Sequence, residues 1–296
     1  MPCIGRFAPS PTGPLHFGSL LAALASYLDI RSRGGRWILR IEDLDPPREQ
    51  PGASNAILHT LDAFGLHWDA DVVYQSRRLS HYRDALEYLL SQHTAYPCSC
   101  SRKQLRSRNV TGYDGHCLQH PPAPGSSCAY RVRHLTSEQQ FTDRIQGLRR
   151  YQWQGHQGDF MVFRRDGLFA YQLAVVVDDA EQGITEVLRG SDLIDETPHQ
   201  MELQAQLGYP QPRYAHIPVI TNAAGQKLSK QNLAPAISAH ERQGLLLRAL
   251  DLLGQQPPAE LADASTDEVL SWATTHWQLA TVPAVLSLPA DANPAP

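Results

Sequence analysis

Two short segments of the chain carry residue types that handle phosphate groups. The first, residues 6–19, reads RFAPSPTGPLHFGS and places His16 directly before apolar residues at helical spacing. The second, residues 225–232, reads GQKLSKQN and holds two lysines three residues apart, Lys227 and Lys230. Ammonium groups on a loop can neutralise the charge that builds on a triphosphate in a transition state. The two segments together therefore indicate a site for phosphate chemistry.

The elements around His16 are expected to place it well for this task. Residues 3–7 predict a short strand, the prolines and glycine that follow predict a turn, and helical spacing begins at Phe17. A helix N-terminus at this point offers unpaired N–H groups and a positive dipole to an anion. Gly18 leaves room for a flat group, such as a nucleobase, beside the backbone. Either segment alone is more often a solvated turn or loop, so the prediction depends on both.

The remaining pattern predicts an α/β nucleotide-binding fold in two halves. Ligands of such sheets sit at the ends of the strands. Glu42 lies at the end of one predicted strand, and Arg6 and Ser10 lie at the end of another. The predicted strands are 37–43, 170–179 and 216–220, and the predicted helices are 49–64, 76–92 and 197–207, with Ser80 and Thr197 as candidate caps. Only helices are expected after residue 237, followed by a frayed tail from residue 287.

Residues 98–165 interrupt the alternation of strands and helices. They are rich in Pro, Gly, Gln and Arg and contain only short apolar bursts, which is typical of a domain inserted into the fold. We therefore divide the chain into a first half of the nucleotide-binding core (1–97), an inserted subdomain (98–165), a second half with the lysine loop (166–235), and a C-terminal helical segment (236–296).

The cysteines of the inserted region suggest a metal site. The chain has five cysteines, and three of them, Cys98, Cys100 and Cys117, lie close together in sequence near Tyr113. A CxC pair followed by a later loop can supply the ligands of a tetrahedral zinc ion. From the spacing alone, zinc and reduced free thiols fit equally well. The other candidates for the fourth ligand are Asp114, His116 and His120.

Bulk composition limits the classes of function that are open. The net charge is −4 and the pI about 6.3, so the chain has no global basic field, and any RNA contact must come from local patches such as 102–108 and 144–150. No long apolar run and no signal-peptide pattern occurs, which predicts a cytoplasmic protein without membrane contact.

The two phosphate segments together resemble the signature pair of class I aminoacyl-tRNA synthetases. His16–Ser19 stands where that family has HIGH, and Lys227–Gln231 stands where it has KMSKS. The match is closer to the glutamate branch, whose entry segment reads RFAPSPTGxLHxG, as residues 6–18 do here. Residues 189–200 also look like that branch, and the resemblance covers roughly residues 4–235.

The resemblance implies roles for individual residues and a structural zinc ion. It implies glutamate-binding residues at Arg6, Phe7, Ala8, Pro9, Ser10, Glu42, Tyr171 and Arg189, ATP-binding residues at His16, Gly18 and Lys230, catalytic residues at His16, Lys227 and Lys230, and zinc ligands at Cys98, Cys100, Tyr113 and Cys117. Mg²⁺ is expected to accompany ATP. A carboxylate at Glu42 suits an ammonium group, and the Arg189 guanidinium suits a two-point fork on the side-chain carboxylate of glutamate.

Three positions depart from the pattern of the family. Phe17 replaces the usual isoleucine, Ser19 replaces the second histidine of HIGH, and Gln231 replaces the usual serine or arginine. The serine can cost one phosphate or ribose contact or supply it from a hydroxyl, and Gln231 puts the closing contacts of the lysine loop in question.

Residues 231–296 alone follow Lys230, which leaves no room for the anticodon-reading region of a full glutamyl-tRNA synthetase. The chain therefore resembles the short paralogues of that branch, the glutamyl-Q tRNA(Asp) synthetases. We expect it to work as a monomer. The substrates of these paralogues are ATP, L-glutamate and a tRNA(Asp) that contains queuosine, and glutamate goes to that base at the wobble position. The alternatives are a truncated conventional enzyme that charges the tRNA 3′ end, and a non-catalytic RNA-binding paralogue.

Overall fold

The computed structural model describes residues 3–108, 112–222, 225–227 and 235–290. The strands are β1 (Ile4–Phe7), β2 (Arg36–Ile41), β3 (Val73–Tyr74), β4 (Ala95–Cys98), β5 (Ala129–Val132), β6 (Glu138–Asp143), β7 (Gly147–Gln152), β8 (Phe160–Phe163), β9 (Glu186–Gly190), β10 (Arg213–Ile217), β11 (Val219–Thr221) and β12 (Ser287–Pro289). The helices are α1 (Phe17–Arg31), α2 (Ala53–Ala63), α3 (Leu79–Ser91), α4 (Arg102–Ser107), α5 (His116–Gln119), α6 (Tyr171–Glu181), α7 (Thr197–Leu207), α8 (Arg242–Leu252) and α9 (Thr266–His276).

A five-stranded parallel sheet in the order β10–β9–β1–β2–β3 forms the centre of the fold. All five strands run the same way, so their carboxyl ends meet at one edge, where ligands of open α/β sheets bind. The α/β prediction is thereby confirmed. The predicted strands near residues 3–7 and 37–43 and the helix that starts at Phe17 are also present.

Helix α1 is the central packing element of the molecule. Its leucines and alanines are buried on nearly every side, since it lies against β1 and β9 on one face and contacts α8 and α9 on another. The C-terminal helices therefore share the main hydrophobic core with the first half of the sheet. No helix in the described ranges is long and apolar enough to cross a membrane.

The inserted region forms two small antiparallel units. Strands β4, β5 and β8 make a three-stranded sheet, and β6 and β7 make a hairpin with Glu138 opposite Gln152. The turn of the hairpin docks on the central sheet, where the backbone N–H of Arg144 donates to Tyr214 O at 2.9 Å. The division of the chain into four segments stays a prediction.

Three local predictions were wrong. The predicted strand over 170–179 is helix α6: its valines and its acidic end are buried on all sides, so the helix lacks the polar face that would have marked its period. Helices α2 and α3 begin several residues later than predicted, after short 3₁₀ turns. Helix α7 begins at Thr197 itself and has no side-chain cap, so Thr197 is not the cap that the sequence predicted.

The tail from residue 287 is not frayed along its described part. Residues 287–289 form β12, which pairs in parallel with β11, the strand that leads towards the lysine loop. The backbone N–H of Ala290 donates to Thr221 O at 2.8 Å and extends this pairing. Strand geometry there comes from a partner distant in sequence, which local composition does not reveal.

Candidate active site

A cavity of about 600 Å³ opens at the carboxyl edge of the central sheet, beside the N-terminus of α1. All the described residues predicted to bind glutamate or ATP line it: Arg6, Phe7, Ala8, Pro9, Ser10, His16, Gly18, Glu42, Tyr171 and Arg189. Lys227, predicted as a catalytic residue, lines it as well. Lys230 and Gln231 lie outside the described residues. The parallel sheet explains part of this convergence, because residues 6–10, Glu42 and Arg189 lie at or just after the ends of the neighbouring strands β1, β2 and β9.

Arg189, on β9, is one of the buried cations that line the cavity. Its guanidinium donates from Nε to His216 Nε2 at 3.0 Å, from Nη1 to Tyr171 Oη at 3.1 Å, and from Nη2 to Thr197 Oγ1 at 2.9 Å and Leu193 O at 3.3 Å. An arginine has five N–H donors, so within the described residues one Nη1–H is left for a ligand.

This arrangement changes the predicted two-point fork. Protein groups occupy the sides of the Arg189 guanidinium that a bidentate carboxylate would use. The Tyr171 hydroxyl accepts from Arg189 and keeps its own proton to donate. A carboxylate in the cavity can therefore take one hydrogen bond from Arg189 Nη1 and a second from Tyr171 Oη.

Arg6 and Glu42 belong to a buried charge network below the cavity. Asp179 of α6 accepts from Arg6 Nε at 3.1 Å and from Arg40 Nη2 at 2.7 Å, and Arg40 lies 3.7 Å from Glu42. The two guanidinium groups hold the pKa of Asp179 below its usual range even though burial raises it. The charge of Arg6 is thus balanced by Asp179, which the sequence analysis did not single out.

The carboxyl of Glu42, unlike that of Asp179, has a pKa above its usual range. Burial raises the pKa of its carboxyl to about 7, outweighing the nearby charges of Arg40 and Arg6. Its Oε1 is buried and lacks a hydrogen-bond partner among the described residues. Within the described ranges, the nearest cation to this oxygen is Arg40 Nη2, at 3.7 Å. A ligand ammonium group beside the Glu42 carboxyl would favour its ionised form.

His16 caps α1 with its own ring. The backbone N–H of Ser19 donates to His16 Nδ1 at 3.2 Å, so in the neutral ring Nε2 carries the proton. The Ser19 hydroxyl lies 3.1 Å from that Nε2. The serine that replaces the family's second histidine therefore contacts the first, and His16 presents an N–H donor beside the helix N-terminus.

Lys227 reaches the cavity from the loop after β11. Its Nζ lies 2.5 Å from Asp192 Oδ2, and both side chains are partly exposed. Asp192 follows β9 in a 3₁₀ turn over residues 191–196. The ion pair of Lys227 with Asp192 was not predicted from the sequence, although Asp192 lies within the segment 189–200 that resembles the glutamate branch.

The predicted zinc ligands come together in a separate, buried cluster. The sulfur atoms of Cys98, Cys100 and Cys117 lie within 4.8 Å of one another, and Tyr113 Oη lies 3.5 Å from Cys98 Sγ. Three sulfurs and one oxygen at these separations fit a four-coordinate zinc ion, whose ligands would leave no position for water. None of the four residues lines the cavity at the sheet edge, so the cluster is separate from it.

Comparisons with known proteins agree with this geometry. A family model described as tRNA synthetases class I (E and Q), catalytic domain, matches residues 3–283. A protein of Thiobacillus denitrificans named glutamyl-Q tRNA(Asp) synthetase is 54% identical over 99% of this chain and 98% of its own length. A relative of the same name from Pseudomonas aeruginosa is 51% identical over 97% of this chain and 98% of its own.

A solved structure shows the same fold. The glutamate tRNA ligase of Elizabethkingia meningosepticum superposes with a TM-score of 0.81 at 24% identity, covering 99% of this chain and 68% of that one. The predicted class I synthetase core is confirmed, and the chain belongs to the family of class I tRNA synthetases for glutamate and glutamine.

Proposed function

We propose that this protein activates L-glutamate with ATP and transfers it to the queuosine base at the wobble position of tRNA(Asp). The observation that carries the proposal is the cavity itself, whose lining combines the buried Arg189 guanidinium, the Glu42 carboxylate with a side chain only 9% exposed, and a helix N-terminus with His16. The names of the relatives support the choice of tRNA(Asp) and of queuosine.

In the first step the α-carboxylate oxygen of glutamate attacks the α-phosphorus of ATP, and the bond to pyrophosphate breaks. The products are glutamyl-adenylate and pyrophosphate. His16 binds the phosphates at the helix N-terminus, and Lys230, assisted by Lys227, stabilises the charge on the pentavalent phosphorus. ATP enters as its Mg²⁺ complex, so the metal is part of the substrate.

The pocket selects glutamate by contacting both its side-chain carboxylate and its ammonium group. Arg189 and Tyr171 each donate one hydrogen bond to the side-chain carboxylate, whereas glutamine would direct an NH₂ group at one of these donors. The carboxylate of Glu42 pairs with the ammonium group. Arg6, Ser10 and the backbone of residues 7–9 complete the wall of this pocket.

In the second step a hydroxyl of the cyclopentene ring of queuosine attacks the acyl carbon, and AMP leaves with the electrons of the mixed-anhydride bond. The inserted subdomain is the proposed grip on the tRNA. Within its basic patches Arg102, Lys103 and Arg150 are exposed, while Arg144 is occupied by Asp29 and Glu186. Zinc held by the cysteine cluster would fix the shape of this subdomain.

We further propose that the protein works as a monomer in the cytoplasm, where ATP and tRNA are available. Size-exclusion chromatography with light scattering would test the oligomeric state.

ATP–pyrophosphate exchange with glutamate, measured with and without tRNA, tests the activation step. Exchange with glutamate, not with glutamine, and without tRNA supports the proposal. Exchange that requires tRNA would instead indicate a conventional charging enzyme, and no exchange under either condition would indicate a non-catalytic paralogue.

A further inference from the structure

A line of three side chains runs from the cavity into the inserted hairpin. Arg189 Nε donates to His216 Nε2 at 3.0 Å, and His216 Nδ1 lies 2.6 Å from Asp143 Oδ2. The side chains of His216 and Asp143 are fully buried, and neither residue lines the cavity. They therefore cannot touch a substrate there, and the mechanism above gives them no part.

The donors fix the tautomer of His216. A guanidinium Nε can only donate, so His216 Nε2 must hold a lone pair, and Nδ1 must carry the proton that goes to Asp143. Burial and the charge of Arg189 lower the pKa of His216 to about 4 despite the attraction of Asp143, so the ring is neutral at physiological pH. The neutral Nδ1–H tautomer lets His216 accept from Arg189.

Asp143 is itself held in place. Its Oδ1 accepts backbone N–H groups from Ile145 at 3.0 Å, Gln146 at 2.8 Å and His216 at 3.1 Å. It is the last residue of β6, in the hairpin that is expected to belong to the inserted region. Its second oxygen is thereby directed at His216, and the turn of the hairpin defines where that oxygen lies.

We propose that Asp143 and His216 are positioning residues that set the orientation of Arg189 and so the selectivity of the cavity for a side-chain carboxylate. The hydrogen bond to His216 holds Nε away from the cavity and leaves Nη1 beside Tyr171. This inference rests on the proposed function, because it assumes that Arg189 binds glutamate.

Asp143→Asn is the most informative variant because it changes no shape. The amide oxygen can keep the backbone N–H bonds, but the NH₂ group then faces His216 Nδ1 and favours the tautomer with its proton on Nε2. That proton meets the Nε–H of Arg189, and two donors cannot pair. His216→Phe removes the acceptor, while His216→Gln can return an oxygen near the position of Nε2.

The matched control is Asp159→Asn. Asp159 is also a buried carboxylate of the inserted region and accepts from Tyr96 Oη at 2.7 Å and from the backbone N–H of His134 at 3.0 Å, but it has no contact with Arg189. It should lower thermal stability without changing the kinetic constants for glutamate.

The experiment measures KM for glutamate and for ATP in pyrophosphate exchange, with glutamine as competitor. Because a hydrogen bond to a charged group is at stake, Asp143→Asn and His216→Phe should raise KM for glutamate about 10- to 100-fold. KM for ATP should stay within about twofold, and His216→Gln should recover most of the loss. Unchanged KM for glutamate in folded variants, or an equal rise in both KM values, would overturn the inference.

A second readout does not depend on activity. The ¹⁵N shifts of His216 should report a protonated Nδ1 in the wild-type protein at pH 7, and a protonated Nε2 there would overturn the inference whatever the kinetics. Wild-type protein that shows the expected tautomer but no glutamate-dependent exchange, with or without tRNA, would instead contradict the proposed function, together with the selectivity assigned to Arg189.

Discussion

The two ends of the cavity are built in opposite ways. At the amino-acid end Arg189 is only 6% exposed, and described groups engage four of its N–H donors. At the lysine end the Lys227 side chain is 42% exposed and is held by the partly exposed Asp192. Preorganised, buried polar groups give selectivity, whereas an exposed ion pair is worth at most about 1 kcal/mol and yields easily to a phosphate. Under the proposed function, this contrast means that the fold would fix the choice of amino acid and that side chains able to exchange partners would serve the chemistry.

The largest expected effect on glutamate-dependent exchange is that of a substitution at Lys230. Lys230→Ala should lower glutamate-dependent exchange by about two or more orders of magnitude, because it removes one charge that stabilises the transition state. Lys103→Ala, on the exposed face of α4, is the matched control and should leave exchange unchanged. Near wild-type exchange in the Lys230 variant would remove that residue from the mechanism.

The amino-acid end should respond to pH through Glu42. Its carboxyl, raised to a pKa of about 7, is protonated below that pH, so glutamate must displace a proton to place its ammonium group there. KM for glutamate should therefore rise by up to about tenfold per unit as the pH falls below 7, and level off above it.

Four charged groups surround Glu42: Arg40, Arg6, Asp178 and Asp179. The substitution Glu42→Gln leaves all four unchanged. Glu42→Gln should bind glutamate weakly at every pH and lose the slope between pH 5.5 and 7. A slope of the same size in this variant would assign the titration to another group.

A smaller effect is expected from the ion pair of the lysine end. Asp192→Asn should lower KM for ATP about two- to fivefold, because ATP no longer competes with a carboxylate for Lys227. The control is Asp195→Asn, because Asp195 is an exposed carboxylate that accepts a hydrogen bond from Tyr151 Oη. A rise in KM for ATP would show that Asp192 places the lysine for the nucleotide.

The smallest effect on activation should come from the cysteine cluster. The purified protein should hold about one zinc ion per chain by atomic absorption, since three sulfurs and a phenol fit four-coordinate zinc. Its removal by a chelator should lower thermal stability and tRNA transfer but change exchange less than about twofold, because the cluster does not line the cavity. A matching loss of exchange would couple the cluster to the cavity.

The residues that line the cavity could be predicted from the sequence better than the framework behind them. The strand, turn and helix around His16 were predicted because proline, glycine and helical spacing are local signals. Helix α6 was misread because valines buried on all sides look like a strand, and β12 was missed because its partner β11 is distant in the chain. Asp143 and His216 are 73 residues apart, so only tertiary structure brings them together.

Transfer of labelled glutamate to tRNA is the most direct test of the central claim. The substrate is tRNA(Asp) that contains queuosine but lacks its 3′-terminal adenosine, compared with tRNA(Asp) that has an intact 3′ end and no queuosine. We predict that the first RNA is labelled and the second is not. After nuclease cleavage of the first RNA, the label should lie in the fragment that contains the anticodon arm. Label on the second RNA alone would contradict it and assign the protein to conventional charging of the 3′ end.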